Sequence, residues 1–295
     1  MQEQFQHNYA EVNKIKLHYV SAGQGEPVML VHGFPEFWYA WKKQLSTLSS
    51  DYHLVAPDMR GYNLSDKPTD VDQYHIDFLV NDLLGLADQL GWQKFTLVAH
   101  DWGGLVAWWL AIKHPERLKR LVIINIPHPA TIHRELATNP LQQKASAYIP
   151  RLQHPQAELG ITASNYAGLI NSLITPGLKE GFITEADKEL YLEAWTQPGA
   201  LTGMANYYRR YRFNFPGVEP DPTLDMSQEA TTVKVPTLVI WGENDQAILI
   251  ENLNGLEDYV PDLIIKRIPE GTHWVVHKFP DLVNQYLKEF IPTSS

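Results

Sequence analysis

Residues 95–104 (FTLVAHDWGG) limit the folds open to this chain more than any other stretch. The five residues 95–99 are apolar or β-prone and read as a buried parallel strand. Residues 105–111 (LVAWWLA) read as a helix packed on a sheet. Between the two the chain must turn sharply, and small residues, Ala99 and Gly103, stand two positions to either side of Asp101. A turn with that spacing lifts its central side chain above the carboxyl edge of a sheet. The helix N-terminus just beyond favours an anion there. Serine is the usual occupant; here it is a carboxylate, which attacks a saturated carbon and becomes an alkyl ester. Asp101 would serve equally as a helix N-cap. Its partners elsewhere in the chain separate the two readings.

On both sides of this stretch, strands alternate with helices. Residues 9–22 pattern as a β-hairpin around Asn13-Lys14, and 27–31 as a strand ending in His32-Gly33. A helix over 37–48, a strand over 53–58 and a helix over 76–90 follow, then the 95–111 unit and a strand over 118–126. Such alternation predicts an α/β fold, a mostly parallel sheet flanked by helices. The rhythm breaks after Pro129. Residues 130–230 carry helical patterns punctuated by proline and no buried apolar strand, as expected of an inserted helical cap. A core of 1–129 and 231–295 is expected beneath it. The rhythm returns at 235–242 as a strand, with a helix over 248–259, a strand over 263–268 and a final helix over 275–290.

Several function classes drop out on composition. A net charge of −10 argues against a basic nucleic-acid-binding face. The absence of cysteine removes disulfides, thiolate catalysis and cysteine zinc sites. No apolar run approaches the ~20 residues that span a bilayer. Residues 1–6 lack the basic and apolar regions of a signal peptide, so a cytoplasmic chain without membrane association is expected. Nine Trp and fourteen Tyr suit either an aromatic core or a deep apolar pocket with polar tips.

An ester on Asp101 must be hydrolysed, and histidine is the usual base near neutral pH. Among twelve histidines, His273 lies in Gly271-Thr272-His273-Trp274, just after the last predicted strand. His277, on the following helix, is its nearest competitor. A carboxylate must hold the imidazole. Asp245 lies just past the 237–240 strand, with Glu243 and Glu251 as alternatives. The order nucleophile, acid, histidine fits an α/β-hydrolase. The backbone N–H groups of Trp102 and of Phe34, in His32-Gly33-Phe34-Pro35, are the expected oxyanion donors.

His32-Gly33-Phe34-Pro35-Glu36, Asp58-Met59-Arg60-Gly61-Tyr62, His100-Asp101-Trp102-Gly103-Gly104, Trp241-Gly242-Glu243-Asn244-Asp245 and Gly271-Thr272-His273-Trp274 together resemble the α/β-hydrolase-fold epoxide hydrolases. The likeness spans essentially the whole chain, and haloalkane dehalogenases are the near relatives. It implies two cap tyrosines that donate to the epoxide oxygen. Asn206-Tyr207-Tyr208-Arg209 resembles the family's Asn-aromatic-Tyr-Arg segment and assigns one donor to Tyr208. Ser146-Ala147-Tyr148-Ile149-Pro150 resembles the other segment and assigns Tyr148. It further implies no metal or organic cofactor, and as partners only a small apolar epoxide and water. Phe34, Trp102, Trp274 and Trp38 are the expected pocket aromatics. Many dehalogenases carry Asn as a halide donor where this chain has Phe34. Dehalogenation is the alternative reaction; a ligand-binding protein on a hydrolase fold is the non-enzymatic alternative.

Overall fold

The computed structural model describes residues 5–219 and 221–293. Positions 1–4 of the stretch read for a leader, and Pro220, lie outside the described residues. β1 (Gln6–Val12) and β2 (Ile15–Ala22) form the expected hairpin. Its two turn residues, Asn13 and Lys14, have φ of 48° and 65°. Those are the left-handed angles that match a two-residue turn to the twist of its strands.

Six parallel strands follow: β3 (Glu26–Val31), β4 (Tyr52–Pro57), β5 (Phe95–His100), β6 (Leu118–Ile124), β7 (Thr237–Gly242) and β8 (Leu263–Ile268). The sheet order is β1-β2-β4-β3-β5-β6-β7-β8, with β2 antiparallel to β4. All six residues of β5 and all six of β7 are buried, so these strands carry apolar side chains on both faces. The flanking helices are α1 (Lys42–Leu48), α2 (Ile76–Gln89) and α3 (Asp101–Lys113).

α3 is buried along residues 101–111, which explains a sequence apolar all round rather than on one stripe. It also packs unusually close to β3. A Cβ on Gly103 would stand 2.4 Å from the His32 carbonyl oxygen and 2.5 Å from that of Val31. Neither backbone atom can give way. Gly103→Ala is therefore expected to cost at least about 1–3 kcal/mol, read as a lower urea midpoint at unchanged slope.

Between β6 and β7 the chain runs through α4 (Pro129–Thr138), α5 (Pro140–Ala145), α6 (Tyr148–Gln153), α7 (Ala157–Leu169), α8 (Thr175–Glu180), α9 (Glu185–Thr196), α10 (Ala200–Arg210) and α11 (Gln228–Thr231). This stretch contains no strand among the described residues. α7 is broken inside: Ser164, Asn165 and Tyr166 all have left-handed φ, from 50° to 62°. A π-helical turn, Ile170–Ile174, follows it. The chain closes with α12 (Val275–Lys278) and α13 (Pro280–Phe290).

Three helical expectations need correction. The helix expected over 248–259 is two 3-10 turns, Ile250–Leu253 and Leu256–Asp258. Extended Asn254 and left-handed Gly255 (φ 73°) separate them. The helix expected over 275–290 is cut at Phe279, because the residue before a proline is driven out of the helical region. The helix expected over 37–48 starts as a 3-10 turn, Trp38–Trp41.

Candidate active site

Five neighbouring strands each deliver one group to the carboxyl edge of the sheet. Phe34 follows β3, Asp101 follows β5, Asn125 follows β6, Asp245 follows β7 and His273 follows β8. Loops at that edge are where open α/β sheets bind ligands.

Asp101 is the first residue of α3, with φ of 49°. A left-handed non-glycine residue costs on the order of 1–2 kcal/mol, so its surroundings must hold it. The Phe34 N–H donates to Asp101 Oδ1 at 2.6 Å. Gly33 allows that approach: a Cβ there would stand 2.3 Å from the same oxygen and 2.6 Å from the Trp102 nitrogen. Gly33 thus lies against both that oxygen and the Trp102 nitrogen. The N-cap position of α3 belongs to His100, and no side chain caps the helix. Asp101 therefore turns away from its own helix, against the capping alternative.

On its other side, Asp101 Oδ2 lies 3.5 Å from His273 Nε2. His273 Nδ1 donates to Asp245 Oδ2 at 2.7 Å. Asp245 is buried, yet it accepts three further bonds, from Asn125 Nδ2 at 2.9 Å and the N–H groups of Ala247 and Ile248 at 2.9 and 3.0 Å. Burial alone would raise its pKa; the His273 charge and these donors hold it below the usual carboxylate value. For His273, burial acts downward. The charges and hydrogen bonds of Asp245 and Asp101 outweigh it and push the imidazole up to about 10.

The acid on His273 Nδ1 is Asp245, not Glu243 or Glu251; Glu243 faces Arg267 at 3.8 Å instead. His277 pairs with Glu36 at 2.5 Å.

Asn125 was not anticipated. Besides its bond to Asp245, its Oδ1 accepts the Gly242 N–H at 2.9 Å, and its φ is 45°. A lone Asn at a strand end was the only signal available.

Tyr148 and Tyr208 face Asp101 across a largely apolar cavity of about 830 Å³. Phe34, His273 and Trp274 line it too, with Ile161 and Leu169 from α7. The two phenol rings are 6.1 Å apart and nearly perpendicular. Burial, then nearby phenol and carboxylate charge, push Tyr208 well above the usual tyrosine range. Burial and then Asp101 do the same to Tyr148. Both phenols therefore stay protonated at neutral pH.

The Arg60-Gly61 motif explains how α10 is held. Arg60 is buried and forks onto Asp82 with two bonds of 2.7 Å. Its carbonyl accepts from the Tyr207 hydroxyl at 2.7 Å. Gly203 packs so close that a Cβ would stand 2.4 Å from the Gly61 oxygen. Tyr208 thus sits on a helix bonded to the sheet side.

Two expected pocket aromatics stand elsewhere. Trp102 lies beside Asp101, lining a smaller hollow, and its indole packs edge-on to Tyr208 at 5.1 Å. Trp38 is absent from the cavity wall. It is buried against Phe5, His7 and Phe37 under the amino-terminal hairpin, and its backbone N–H donates to Asp58 Oδ1 at 2.9 Å. Among the described residues, no cluster of three or more His, Asp or Glu side chains could hold a metal ion. No helix among them is long and apolar enough to cross a membrane.

A family model described as "alpha/beta hydrolase fold" matches residues 26–280. The chain is 37% identical over 286 residues to the AB hydrolase superfamily protein YfhM of Bacillus subtilis, covering 96% of each. It is 35% identical to Epoxide hydrolase 4 of Mus musculus, over 94% of this chain and 76% of that protein. A crystal structure of Bacillus megaterium epoxide hydrolase with an inhibitor superposes with a TM-score of 0.87, at 37% identity, over 96% of this chain and 99% of that one.

Proposed function

For this chain, which belongs to the α/β-hydrolase-fold epoxide hydrolases, we propose that epoxides become vicinal diols through a covalent ester on Asp101. One observation carries the reading: the Asp101 carboxylate stands between the Phe34 N–H at 2.6 Å and His273 Nε2 at 3.5 Å, facing two protonated phenols.

In the first step Tyr148 and Tyr208 hydrogen-bond the epoxide oxygen. An Asp101 oxygen attacks a ring carbon as the carbon–oxygen bond breaks. A phenol proton goes to the departing alkoxide, which remains tethered through the ring carbons. Positioned acids of this kind contribute about 10²–10⁴-fold. Tyr148→Phe and Tyr208→Phe should each slow ester formation about tenfold or more, and the double change by about 10²–10⁴-fold, read by single-turnover trapping.

In the second step His273 takes a proton from water, and the hydroxide attacks the ester carbonyl carbon. The N–H groups of Phe34 and Trp102 hold the oxyanion. Collapse expels the alkoxide, which takes the proton of the new carboxyl hydroxyl; the carboxylate is restored, the diol leaves, and His273 ends protonated as it began.

The electrostatics support this order. In the resting site, the Asp101 charge helps keep His273 protonated up to about 10. Esterification removes that charge. The imidazole pKa then falls, its proton passes to the phenolate left by ring opening, and the base is released only when there is an ester to cleave.

The 130–230 segment acts as a cap, bearing both phenols and most of an apolar wall, so the substrates are apolar epoxides. Expulsion of a halide would need side-chain N–H donors, and position 34 offers only a phenyl ring.

Single turnover in water enriched in heavy oxygen tests the scheme. The label should enter the peptide carrying Asp101, because hydroxide attacks the carboxyl carbon, while the first diol should carry none. Label in the first diol with an unlabelled Asp101 would mean direct hydration and would sink the proposal.

A further inference from the structure

Beside the reacting groups lies a second buried charge that the two-step scheme leaves unused. Glu36, on the loop after β3, is buried. Its Oε1 accepts from His277 Nε2 at 2.5 Å and from the Tyr191 hydroxyl at 3.1 Å. Its Oε2 accepts from His100 Nδ1 at 3.1 Å. The other nitrogen of His100, Nε2, donates to the backbone carbonyl of His273 at 2.9 Å. The His100 and His273 rings lie 4.7 Å apart.

Burying a carboxylate is costly, and an apolar filler is often at least as stable. Here the charge grips one short piece of chain at two points. Through His100 it holds the carbonyl of His273. Directly, it holds His277, four residues further on α12. Burial would raise the Glu36 pKa, but its two histidines keep it well below the usual range, consistent with an anion receiving three donors. The Asp101 carboxylate bonds to none of Glu36, His100 and His277; the Phe34 N–H holds it.

We propose that Glu36, acting through His100 and His277, is a positioning residue for the second half-reaction. It fixes the backbone that carries His273, so that Nε2 stays on the Asp101 carboxyl once this has become an ester. This rests on the two-step reading above. It predicts asymmetry, because ester formation needs Asp101 and the phenols, whereas ester breakdown needs the placement of His273.

The test follows both steps separately with styrene oxide, using rapid quench and intact mass. Glu36→Leu should slow ester breakdown about tenfold or more, since small misplacements of a catalytic group cost that much, and leave ester formation within about twofold. Glu36→Gln, whose amide can still bridge the two rings, should recover most of the loss. His277→Phe cuts one grip without touching a neighbour of Asp101; it should slow breakdown about threefold and serves if Glu36→Leu does not fold. Tyr52→Phe, which loses a buried bond to the Ile291 carbonyl at the other end of β4, should lower Tm and leave the ratio of the two rates unchanged.

Equal slowing of both steps would overturn the proposal. So would breakdown within twofold of wild type in both Glu36→Leu and His277→Phe, or in His277→Phe alone if Glu36→Leu is unfolded. A wild-type protein that forms no ester at all would instead remove the two-step reading, and this positioning role with it.

Discussion

Asp101→Ala should lower diol formation from epoxides by about 10⁴-fold or more. The size of the effect follows from what else faces the cavity. The phenols of Tyr148 and Tyr208 stay protonated, and Asp101 is the one carboxylate lining the cavity among the described residues, so no second carboxylate takes over from the one lost. The same substitution should also be visible away from catalysis. Asp101 contributes both charge and a hydrogen bond to the raised pKa of His273. Removing it must move the titration midpoint of the imidazole downward from about 10, toward its ordinary value. Proton–nitrogen NMR of the histidine side chains reads that midpoint directly. A variant that still hydrates epoxides at the wild-type rate would exclude Asp101 as the attacking group.

His273→Gln should stop the cycle halfway. Ring opening does not use the base, so Asp101 still attacks and the ester forms. Hydrolysis loses a positioned base, worth about 10²–10⁴-fold. The ester should then accumulate to nearly one equivalent, and intact mass should rise by that of the whole epoxide. Glutamine keeps the approximate volume beside Trp274 and leaves Asp245 with its three remaining donors, from Asn125, Ala247 and Ile248. An unreactive variant that accumulates no adduct would place His273 in the first step instead. An adduct lighter by a hydrogen halide, formed with a haloalkane, would show displacement chemistry at the same carboxylate.

Much of the scaffold was legible because its signals are local. The buried run before Asp101, the small residues around it and the later acid and histidine are each readable within a few positions. Asp101, Asp245 and His273 do come together, and Phe34 does reach the carboxylate. What escaped depends on pairs far apart in the chain. Asn125 meets Asp245 from 120 positions away, and Glu36 meets His277 across 241. No periodicity records such meetings. Trp38 departs from expectation for the same reason: it stands near a motif, but Phe5 and His7 at the amino-terminal hairpin cover it. The broken helix at Asn254-Gly255 is a different failure. Apolar spacing continued through a pair whose backbone angles end a helix.

The way α10 is anchored has a consequence for change over time. Tyr208 rides on a helix riveted to the sheet through Tyr207 and Gly203, whereas α7, across the cavity, carries exposed residues and a left-handed break at Ser164-Asn165-Tyr166. The acid therefore has a support of its own on the sheet, besides the Arg209–Glu158 pair that ties α10 to α7. Replacements along 159–172, which spare Glu158, can remould the wall for new guests while the proton donor keeps its aim. Appetite can drift in this molecule while its chemistry stays put.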